Sequence, residues 1–441
     1  MRTSHLTKAV APLITAVALV AQTATAAFVW DGGGADGSWA DDNNWEGGTA
    51  PTATTTDTIE INETQTISTS VLDQDRTIGG VYFQGTDTNH IFDLGGHTLT
   101  VAGKWGYSND GGQGMITNGT LRFGNDTTAG SIDIKSGNGP QPWIDFMAEG
   151  GGQFDTYNLG TVEMGGWGSR DNRLDLRNAT IVGGTFEAEN LVFDHEGTLY
   201  LPDSPAITKL YIRHRADLSQ RDHGYHGTDA LAIRLPANVD MQVGQSAASP
   251  GEILVGDDSG GNSHGRIEAL GTGGEFTAYL DVFLLGRGSQ NNSMDLSLMD
   301  SVTIDASTAD GEIGTGDSGD GTVKLPVGTA TFGSLTIGQD SDGTGLLELA
   351  GTEVDVLTDM EIKATGTVDL TDGAILRVAR VSHGGSLTIG GNPCAEGGWY
   401  DSSTHPDYIT GSGSIWFIPE PTTFALLGLG GAVMVSRRRR R

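Results

Sequence analysis

Short apolar segments that end in glycine recur along the second half of the chain. They are ILVG at 253–256, FLLG at 283–286, LTIG at 335–338 and LTIG at 387–390, with a degenerate copy, EIG, at 312–314. Between such glycines apolar and polar residues alternate, which is typical of a β-strand with one buried side. One such strand cannot bury its apolar side alone, so the pattern predicts successive units stacked in register.

A longer repeat gives the size of the unit. The segment GWGSRDNRLDL at 166–176 aligns with GRGSQNNSMDL at 286–296, and six of the eleven positions are identical at an offset of 120 residues. Four coils of about 30 residues each would produce this offset. The chain also has 68 glycines among 441 residues and no convincing amphipathic helix in its body. Glycine weakens helices and suits tight bends, so the composition favours short strands.

These patterns predict an all-β fold, a parallel β-solenoid of the right-handed β-helix type. The alternative is an array of β-sandwiches. The irregular length of the units and the glycine at the end of each favour the solenoid over this alternative. The single cysteine, Cys394, excludes an intramolecular disulfide bond.

The N-terminus predicts export. Residues 1–26 have Arg2 and Lys8 near the start, continue with an apolar run at 9–20, and end with a small-x-small cleavage site at Ala24 and Ala26. This order is that of a secretory signal peptide, whose apolar part forms a helix.

The C-terminus predicts a membrane segment that halts export. Residues 424–435 are apolar or glycine and would form a short transmembrane helix, although twelve residues span only about 18 Å of a hydrocarbon core of about 30 Å. Five arginines follow and would stay on the cytoplasmic side. These stop-transfer residues are Arg437, Arg438, Arg439, Arg440 and Arg441.

Pro419, Glu420 and Pro421 precede the apolar segment, and together with the terminal arginines they make the region 418–441 resemble a known family element. It is similar to the PEP-CTERM sorting signal of Gram-negative bacteria. The resemblance implies that an exosortase, a membrane transpeptidase-like enzyme, recognises the motif and removes the tail. It further implies a precursor anchored in the inner membrane and a product at the cell surface or outside the cell. An ordinary tail anchor that is never cut is the alternative.

Removal of both ends would leave a strongly acidic body. The whole chain has a formal net charge of −31, and the part between the two predicted cleavage sites keeps 18 basic and 55 acidic residues. Such a charge argues against nucleic acid and anionic lipid as partners. It suits a protein of the exterior.

Three of the eight tryptophans lie at the start of the mature chain, at Trp30, Trp39 and Trp45. This start resembles the opening of bacterial β-helix proteins with autotransporter-associated repeats, in which tryptophans precede a proline, here Pro51, and a first strand. We expect residues 27–62 to cap the open end of the solenoid, because terminal repeats must close the core. The alternative is a set of aromatic platforms for sugar rings.

A basic cluster is the first candidate for chemistry. Arg213, His214 and Arg215 are followed by a second group at 221–226, and we expect an enlarged loop here. In β-helix polysaccharide lyases basic residues neutralise an acidic sugar, so Arg213 or Arg221 would clamp the substrate and His223 would act as the base. His223 and His226 would alternatively form a weak transition-metal pair. A solvated loop without a site is the simplest interpretation.

Acidic residues that follow the coil-ending glycines are the second candidate. Stacked along one edge of the rod, they would suit calcium, which prefers oxygen ligands. A merely solvated edge is the simpler interpretation, because no EF-hand loop or GGxGxD repeat is present. The weak calcium candidates are Asp257, Asp258, Asp317, Asp320, Asp340 and Asp342.

No catalytic triad or carboxylate pair stands out in the sequence. We therefore expect a signal peptide at 1–26, a solenoid body at 27–417 and a sorting and anchor segment at 418–441. The leading hypothesis is a non-catalytic secreted or surface-displayed protein of the extracellular matrix, in contact with an exosortase and with extracellular polysaccharide. The alternative is a secreted polysaccharide lyase or hydrolase on the same scaffold.

Overall fold

The computed structural model describes the solenoid body in segments. They are residues 27–62, 65, 68–84, 88–107, 112–135, 143–165, 172–193, 197–218, 232–256, 264–287, 291–315, 319–339, 342–378, 387–395 and 397–418. The expected signal helix and the expected transmembrane helix lie outside these segments. Within the described residues no helix is long and apolar enough to cross a membrane.

The described residues form short β-strands and two single-turn 3₁₀ helices, Asp42–Asn44 and Val182–Gly184. The strands of the N-terminal half are β1 (Phe28–Trp30), β2 (Thr58–Asn62), β3 (Thr69–Val71), β4 (Arg76–Ile78), β5 (Gly80–Gln84), β6 (Thr88–Asp93), β7 (Thr98–Val101), β8 (Lys104–Tyr107), β9 (Gly112–Thr117), β10 (Gly119–Phe123), β11 (Gly130–Lys135), β12 (Trp143–Phe146), β13 (Gly152–Asp155), β14 (Leu159–Gly165), β15 (Asn172–Asp175), β16 (Ala179–Ile181), β17 (Thr185–Phe193), β18 (Gly197–Tyr200) and β19 (Lys209–Leu218).

The strands of the C-terminal half are β20 (Ala232–Leu235), β21 (Asp240–Val243), β22 (Gly251–Val255), β23 (Arg266–Ala269), β24 (Glu275–Leu285), β25 (Asn292–Asp295), β26 (Ser301–Ile313), β27 (Asp320–Leu325), β28 (Gly328–Ile337), β29 (Thr344–Ala350), β30 (Thr352–Val356), β31 (Met360–Ile362), β32 (Gly366–Thr371), β33 (Ile375–Val378), β34 (Leu387–Ile389), β35 (Asn392–Pro393), β36 (Trp399–Tyr400), β37 (Ile409–Gly411) and β38 (Ser414–Phe417).

The described strands stack into three sheets, in which every pairing is parallel except β34 with β35 and β36 with β38. The smallest sheet is confined to residues 76–181. Among the described residues one sheet has 13 strands, from β3 to β37, a second has five, from β4 to β16, and a third has 20. In the 20-stranded sheet long strands such as β26 and β28 pair twice, at Val302–Ala306 and at Asp310–Ile313 of β26, with a register shift between. The long strands therefore pass over a corner and serve two faces. The structure confirms the all-β, parallel β-solenoid fold.

The register accounts for the repeat seen in the sequence. In the 13-stranded sheet Leu174, Leu199, Ile233, Ile267 and Met294 are paired one after the other. Leu174 and Met294 occupy equivalent places in the two copies of the repeat, so the offset of 120 residues corresponds to four coils. Individual coils differ, from 21 residues between Leu347 and Val368 to 41 between Val368 and Ile409.

The coil-ending glycines have a steric reason. All five predicted positions have positive φ, between 58° and 78°: Gly256, Gly286, Gly314, Gly338 and Gly390. Side chains other than that of glycine rarely tolerate this conformation. A Cβ at Gly338 would also lie 2.2 Å from the backbone nitrogen of Gly366 in the next coil. Glycine here permits both the bend and the close stacking of coils.

Inward-facing side chains of successive coils stack on one another in a continuous core. Phe154 lies 5.6 Å from the ring centre of Phe123 and 5.8 Å from that of Phe186, and all three are fully buried. Each buried phenylalanine contributes about 1.5–3 kcal/mol through removal of its apolar surface from water. The core is thus a column of contacts between neighbouring coils.

The tryptophans of the mature start are buried. Trp30, Trp39 and Trp45 are at most 1% exposed, and the Trp45 ring packs edge-on against the other two at 5.0 and 5.4 Å. Trp45 Nε1 donates to the Trp39 carbonyl oxygen at 3.0 Å. Their ring faces are therefore not free to stack on sugars, and the alternative of aromatic platforms at this end is wrong.

His90 is a fully buried polar side chain beside this cluster. Its Nδ1 lies 2.8 Å from Gln65 Oε1 and its Nε2 lies 2.9 Å from Ser70 Oγ, and its ring centre is 5.7 Å from that of Trp30. Burial lowers the pKa of His90 from 6.5 to about 3, because the charged imidazolium is poorly solvated there. The folded protein therefore holds His90 neutral.

This burial predicts a pH dependence of stability. The unfolded chain binds a proton at His90 below pH 6.5 and the folded chain does not, so the contribution is complete above pH 6.5 and decreases as the pH falls. Between pH 7 and pH 5 we expect a loss of about 2 kcal/mol from the free energy of unfolding, at about 1.4 kcal/mol per pH unit. Denaturant unfolding at a series of pH values measures this. His90→Gln should flatten the dependence, and the control His97→Gln should not; equal slopes in all three proteins would contradict the assignment.

Candidate functional site

The C-terminal end of the solenoid is where the chain leads into the region of the sorting motif. The last strand, β38, pairs in parallel with β33, and the Ile418 amide donates to the Val378 carbonyl oxygen at 3.2 Å. Phe417 is only 6% exposed. The chain is thus held by backbone hydrogen bonds and by core packing up to the last described residue.

The residues predicted for sorting and processing lie outside the described residues. They are Ala24, Ala26, Pro419, Glu420, Pro421 and Arg437 to Arg441. Their roles stay predictions, and for the C-terminal residues the structure contributes the position of Ile418, which directly precedes Pro419.

The short strand β36 covers the edge of β38 at this end. Strand β36 pairs with β38 in antiparallel fashion, with Trp399 opposite Trp416. The two indole rings stack at 5.1 Å with an interplanar angle of 3°, and Trp399 is 54% exposed. The Tyr400 hydroxyl donates to the Ala395 carbonyl oxygen at 2.8 Å. The end of the rod therefore carries a large, exposed aromatic ring.

The first half of the basic cluster lies in a strand, so the expectation of an enlarged loop at Arg213, His214 and Arg215 is wrong. These residues belong to β19, which pairs with β17 along most of its length. Inward-facing Ile212 and Ala216 keep this stretch on the core. Arg221, His223 and His226 lie outside the described residues.

His214 and Arg215 line a groove of about 430 Å³ on the outer side of the 20-stranded sheet. Arg215 Nη2 donates to Asp217 Oδ2 at 2.6 Å, and Arg215 Nε lies 3.5 Å from Glu252 Oε2. His214 Nδ1 is 3.2 Å from Asn190 Oδ1. We call this the His214 groove; its lining residues are Thr161, Glu163, Glu189, Asn190, Val192, His214, Arg215 and Asp217.

The His214 groove brings an imidazole, a guanidinium and several carboxylates together. These groups belong to β14, β17 and β19, which lie in three successive coils. No motif within one segment of the sequence therefore predicts that they meet. In chemical terms an imidazole beside carboxylates can move protons, and a guanidinium can bind a carboxylate of a ligand. Here the guanidinium of Arg215 is already engaged by the chain's own Asp217 and Glu252.

A second groove of about 490 Å³ lies on the outer side of the 13-stranded sheet. Arg177 Nε donates to Asp175 Oδ1 at 2.9 Å, and the guanidinium lies 4.5 Å from the ring centre of Tyr200. Arg234 donates to Glu268 at 2.8 Å, and Leu270 is 58% exposed. We call this the Arg177 groove; its lining residues are Arg177, Tyr200, Leu201, Asp203, Arg234, Pro236, Ala237, Leu270 and Gly271.

Next to the Arg177 groove two carboxylates lie opposite each other in neighbouring strands. Asp145 of β12 pairs in register with Asp175 of β15. Burial raises the pKa of the half-buried Asp145 carboxyl, and the Asp175 carboxylate raises it further. Two residues earlier on the same two strands, the Arg173 guanidinium lies 4.0 Å from the ring centre of Trp143. Sequence reasoning missed this group because its members are 30 residues apart.

The structure describes two of the six acidic residues predicted as weak calcium ligands, Asp320 and Asp342. Asp320 accepts hydrogen bonds from the Thr344 amide at 3.0 Å and from Thr344 Oγ1 at 2.7 Å, and Asp342 is exposed. In the described part of the chain no three His, Cys, Asp or Glu side chains are placed to hold a metal ion together. The remaining candidates, Asp257, Asp258, Asp317 and Asp340, lie outside it. Calcium binding stays a prediction.

Comparison with known proteins gives one match. Residues 417–441 match the family model for the PEP-CTERM protein-sorting motif. No curated protein and no solved structure matches the chain.

The matched region begins at Phe417, the last residue of β38, so the motif follows the solenoid without a linker. It implies an exported, surface-associated protein that an exosortase recognises at the membrane. The chain is a β-solenoid protein that carries a PEP-CTERM sorting motif at its C-terminal end.

Proposed function

We propose that the protein is a non-catalytic, secreted or surface-displayed component of the extracellular matrix, delivered by exosortase processing. The observation that carries the proposal is the sorting motif at 417–441, which directly follows a solenoid with a continuous core. Parallel stacking of coils gives a stiff rod whose long outer faces are suited to contact other matrix components.

The path of the chain follows from its two ends. The signal peptide at 1–26 starts export and is removed after Ala26, and the body at 27–417, with a cap at 27–62, folds outside. The apolar segment at 424–435 and the five terminal arginines hold the precursor in the inner membrane. The enzyme then acts at the Pro419-Glu420-Pro421 motif and releases or attaches the body at the cell surface.

Extracellular polysaccharide is the partner that the outer faces suit best. The Arg177 groove combines apolar side chains, such as Leu201 and Leu270, with two guanidinium groups and the carboxylate of Asp203. Sugar rings have apolar faces and hydroxyl groups that both donate and accept hydrogen bonds, so a groove of this mixed character fits them. Its volume of about 490 Å³ is in the range of small-ligand sites.

The second candidate function is a polysaccharide lyase or hydrolase, and the His214 groove is the observation that favours it. Its weakness is electrostatic. Neutralisation of an acidic sugar needs a cation available to the substrate, yet Arg215 is bound to Asp217, which is 1% exposed, and lies near Glu252. The Arg215 guanidinium is therefore occupied by carboxylates of the protein and is poorly placed to bind an anionic substrate.

The first prediction concerns Glu420. Glu420→Ala should leave export intact but retain an uncut precursor in the membrane, because the enzyme reads the Pro-Glu-Pro motif. Immunoblotting of membrane and extracellular fractions from cells that contain the exosortase measures both forms. Glu149→Ala, which changes an exposed carboxylate in the N-terminal half of the body, is the control and should be processed normally. Normal release of the Glu420→Ala protein would refute the proposed processing.

The second prediction concerns the arginines. Deletion of Arg437 to Arg441 should weaken retention of the precursor in the membrane. The positive charges that keep the C-terminal end of the short apolar segment on the cytoplasmic side are then missing. Replacement of all five by lysine preserves the charge and should preserve retention. Fractionation in cells without the exosortase separates anchoring from cleavage. Full retention of the deleted form would argue against the stop-transfer role.

The third prediction separates the two functions. The purified body, incubated with neutral and acidic polysaccharides, should produce no new reducing ends or unsaturated sugars, while it should co-sediment with the insoluble polysaccharide of its own matrix. Product formation that disappears in His214→Gln would establish the enzyme instead. Loss of co-sedimentation in Arg234→Ala, without loss of thermal stability, would locate binding in the Arg177 groove.

A further inference from the structure

The stacked indoles at the C-terminal end are directed along the axis of the rod. On the outer side of the sheet Asp355, Arg377, Trp416 and Trp399 follow one another in register across four successive strands. The 5.1 Å between the indole centres is close to the strand spacing of about 4.8 Å. Trp399 is therefore the outermost member of the column, and its free ring face looks out from the end of the solenoid.

The same end is the one from which the tail leaves. Ile418 follows β38 directly, and five residues, 419–423, separate it from Phe424, where the apolar segment begins. Six extended residues reach about 20 Å at most. In the anchored precursor the membrane must therefore lie within about 20 Å of the chain exit at Ile418.

The chemistry of this end suits the interface between lipid and water. Tryptophan is enriched at that level of membranes, because its ring is apolar and its N–H group is polar. Arg377 is paired with Glu353 at 2.6 Å and with Asp355 at 2.7 Å. The carboxylate of Asp401, two residues after Trp399, disfavours anionic headgroups, so the surface is matched to zwitterionic lipid.

We propose that the C-terminal end of the solenoid, through Trp399 stacked on Trp416, docks on the zwitterionic lipid interface of the membrane in the anchored precursor. This contact stands the rod upright and holds the Pro-Glu-Pro motif at a constant height for the processing enzyme. The inference rests on the proposed function, since it requires an anchored precursor. It assigns a role to an exposed tryptophan that the core does not explain.

Fluorescence quenching tests the lipid contact directly. The full-length precursor is reconstituted in phosphatidylcholine vesicles whose acyl chains are brominated near the headgroup. We expect quenching of its tryptophan emission, and most of that quenching should be lost in Trp399→Phe. The matched control is Trp143→Phe, which changes a partly exposed tryptophan of the 13-stranded sheet and should keep the quenching. Quenching that is equal in all three proteins would overturn the proposal.

Processing kinetics separate this inference from the proposed function. Trp399→Ala should slow removal of the tail several-fold in cells, with an unchanged thermal unfolding temperature of the body, while Glu420→Ala should block it. Processing of Glu420→Ala at the normal rate would refute the proposed function. Normal processing and quenching in the Trp399 variants, with Glu420→Ala blocked, would refute only the docking. Slow processing with unchanged quenching would also refute it, since Trp399 would then contact the enzyme rather than lipid.

Discussion

The in-register stacking of parallel strands is the constraint on which the rest of this structure depends. Each strand has one apolar side, and that side is buried only because the next coil places an apolar residue at the same position, as Leu174, Leu199 and Ile233 do. A slip by one residue would turn the apolar residues outward. The positive-φ glycines follow from the same requirement, because each coil must turn within the space left by its neighbour.

The register that builds the core also arranges the outer faces. Arg234 lies opposite Glu268, and Lys324 lies opposite Glu348, so ion pairs form between residues that are 34 and 24 positions apart. Such exposed pairs contribute little to stability, about 0–1 kcal/mol each. Each pair places a cationic and an anionic side chain against each other on the outer face. In both pairs the partner charges come from strands of neighbouring coils.

The two ends of the solenoid differ in the exposure of their tryptophans. At the N-terminal end Trp30, Trp39 and Trp45 are buried against the first coils, next to the neutral, buried His90. At the C-terminal end the short strand β36 covers the edge of β38 but leaves Trp399 exposed. The exposed Trp399 ring stacks on Trp416 at 5.1 Å. The exposed ring lies beside β38, the strand that leads into the sorting motif.

The sequence by itself determined the class of fold, the four-coil repeat, the glycine turns and the sorting motif. Each of these depends on a contiguous motif or on a pattern that recurs at a regular spacing. It failed at Arg213 to Arg215, where a dense run of charges suggested a loop although Leu210, Ile212 and Ala216 continue the inward pattern of β19. Only the tertiary structure decided the two grooves, the Asp145 and Asp175 pair and the Trp399 and Trp416 stack. The members of the grooves and of the carboxylate pair come from different coils of unequal length, 21 to 41 residues, so no constant spacing in the sequence brings them together. The two tryptophans meet through an antiparallel pairing that departs from the repeat.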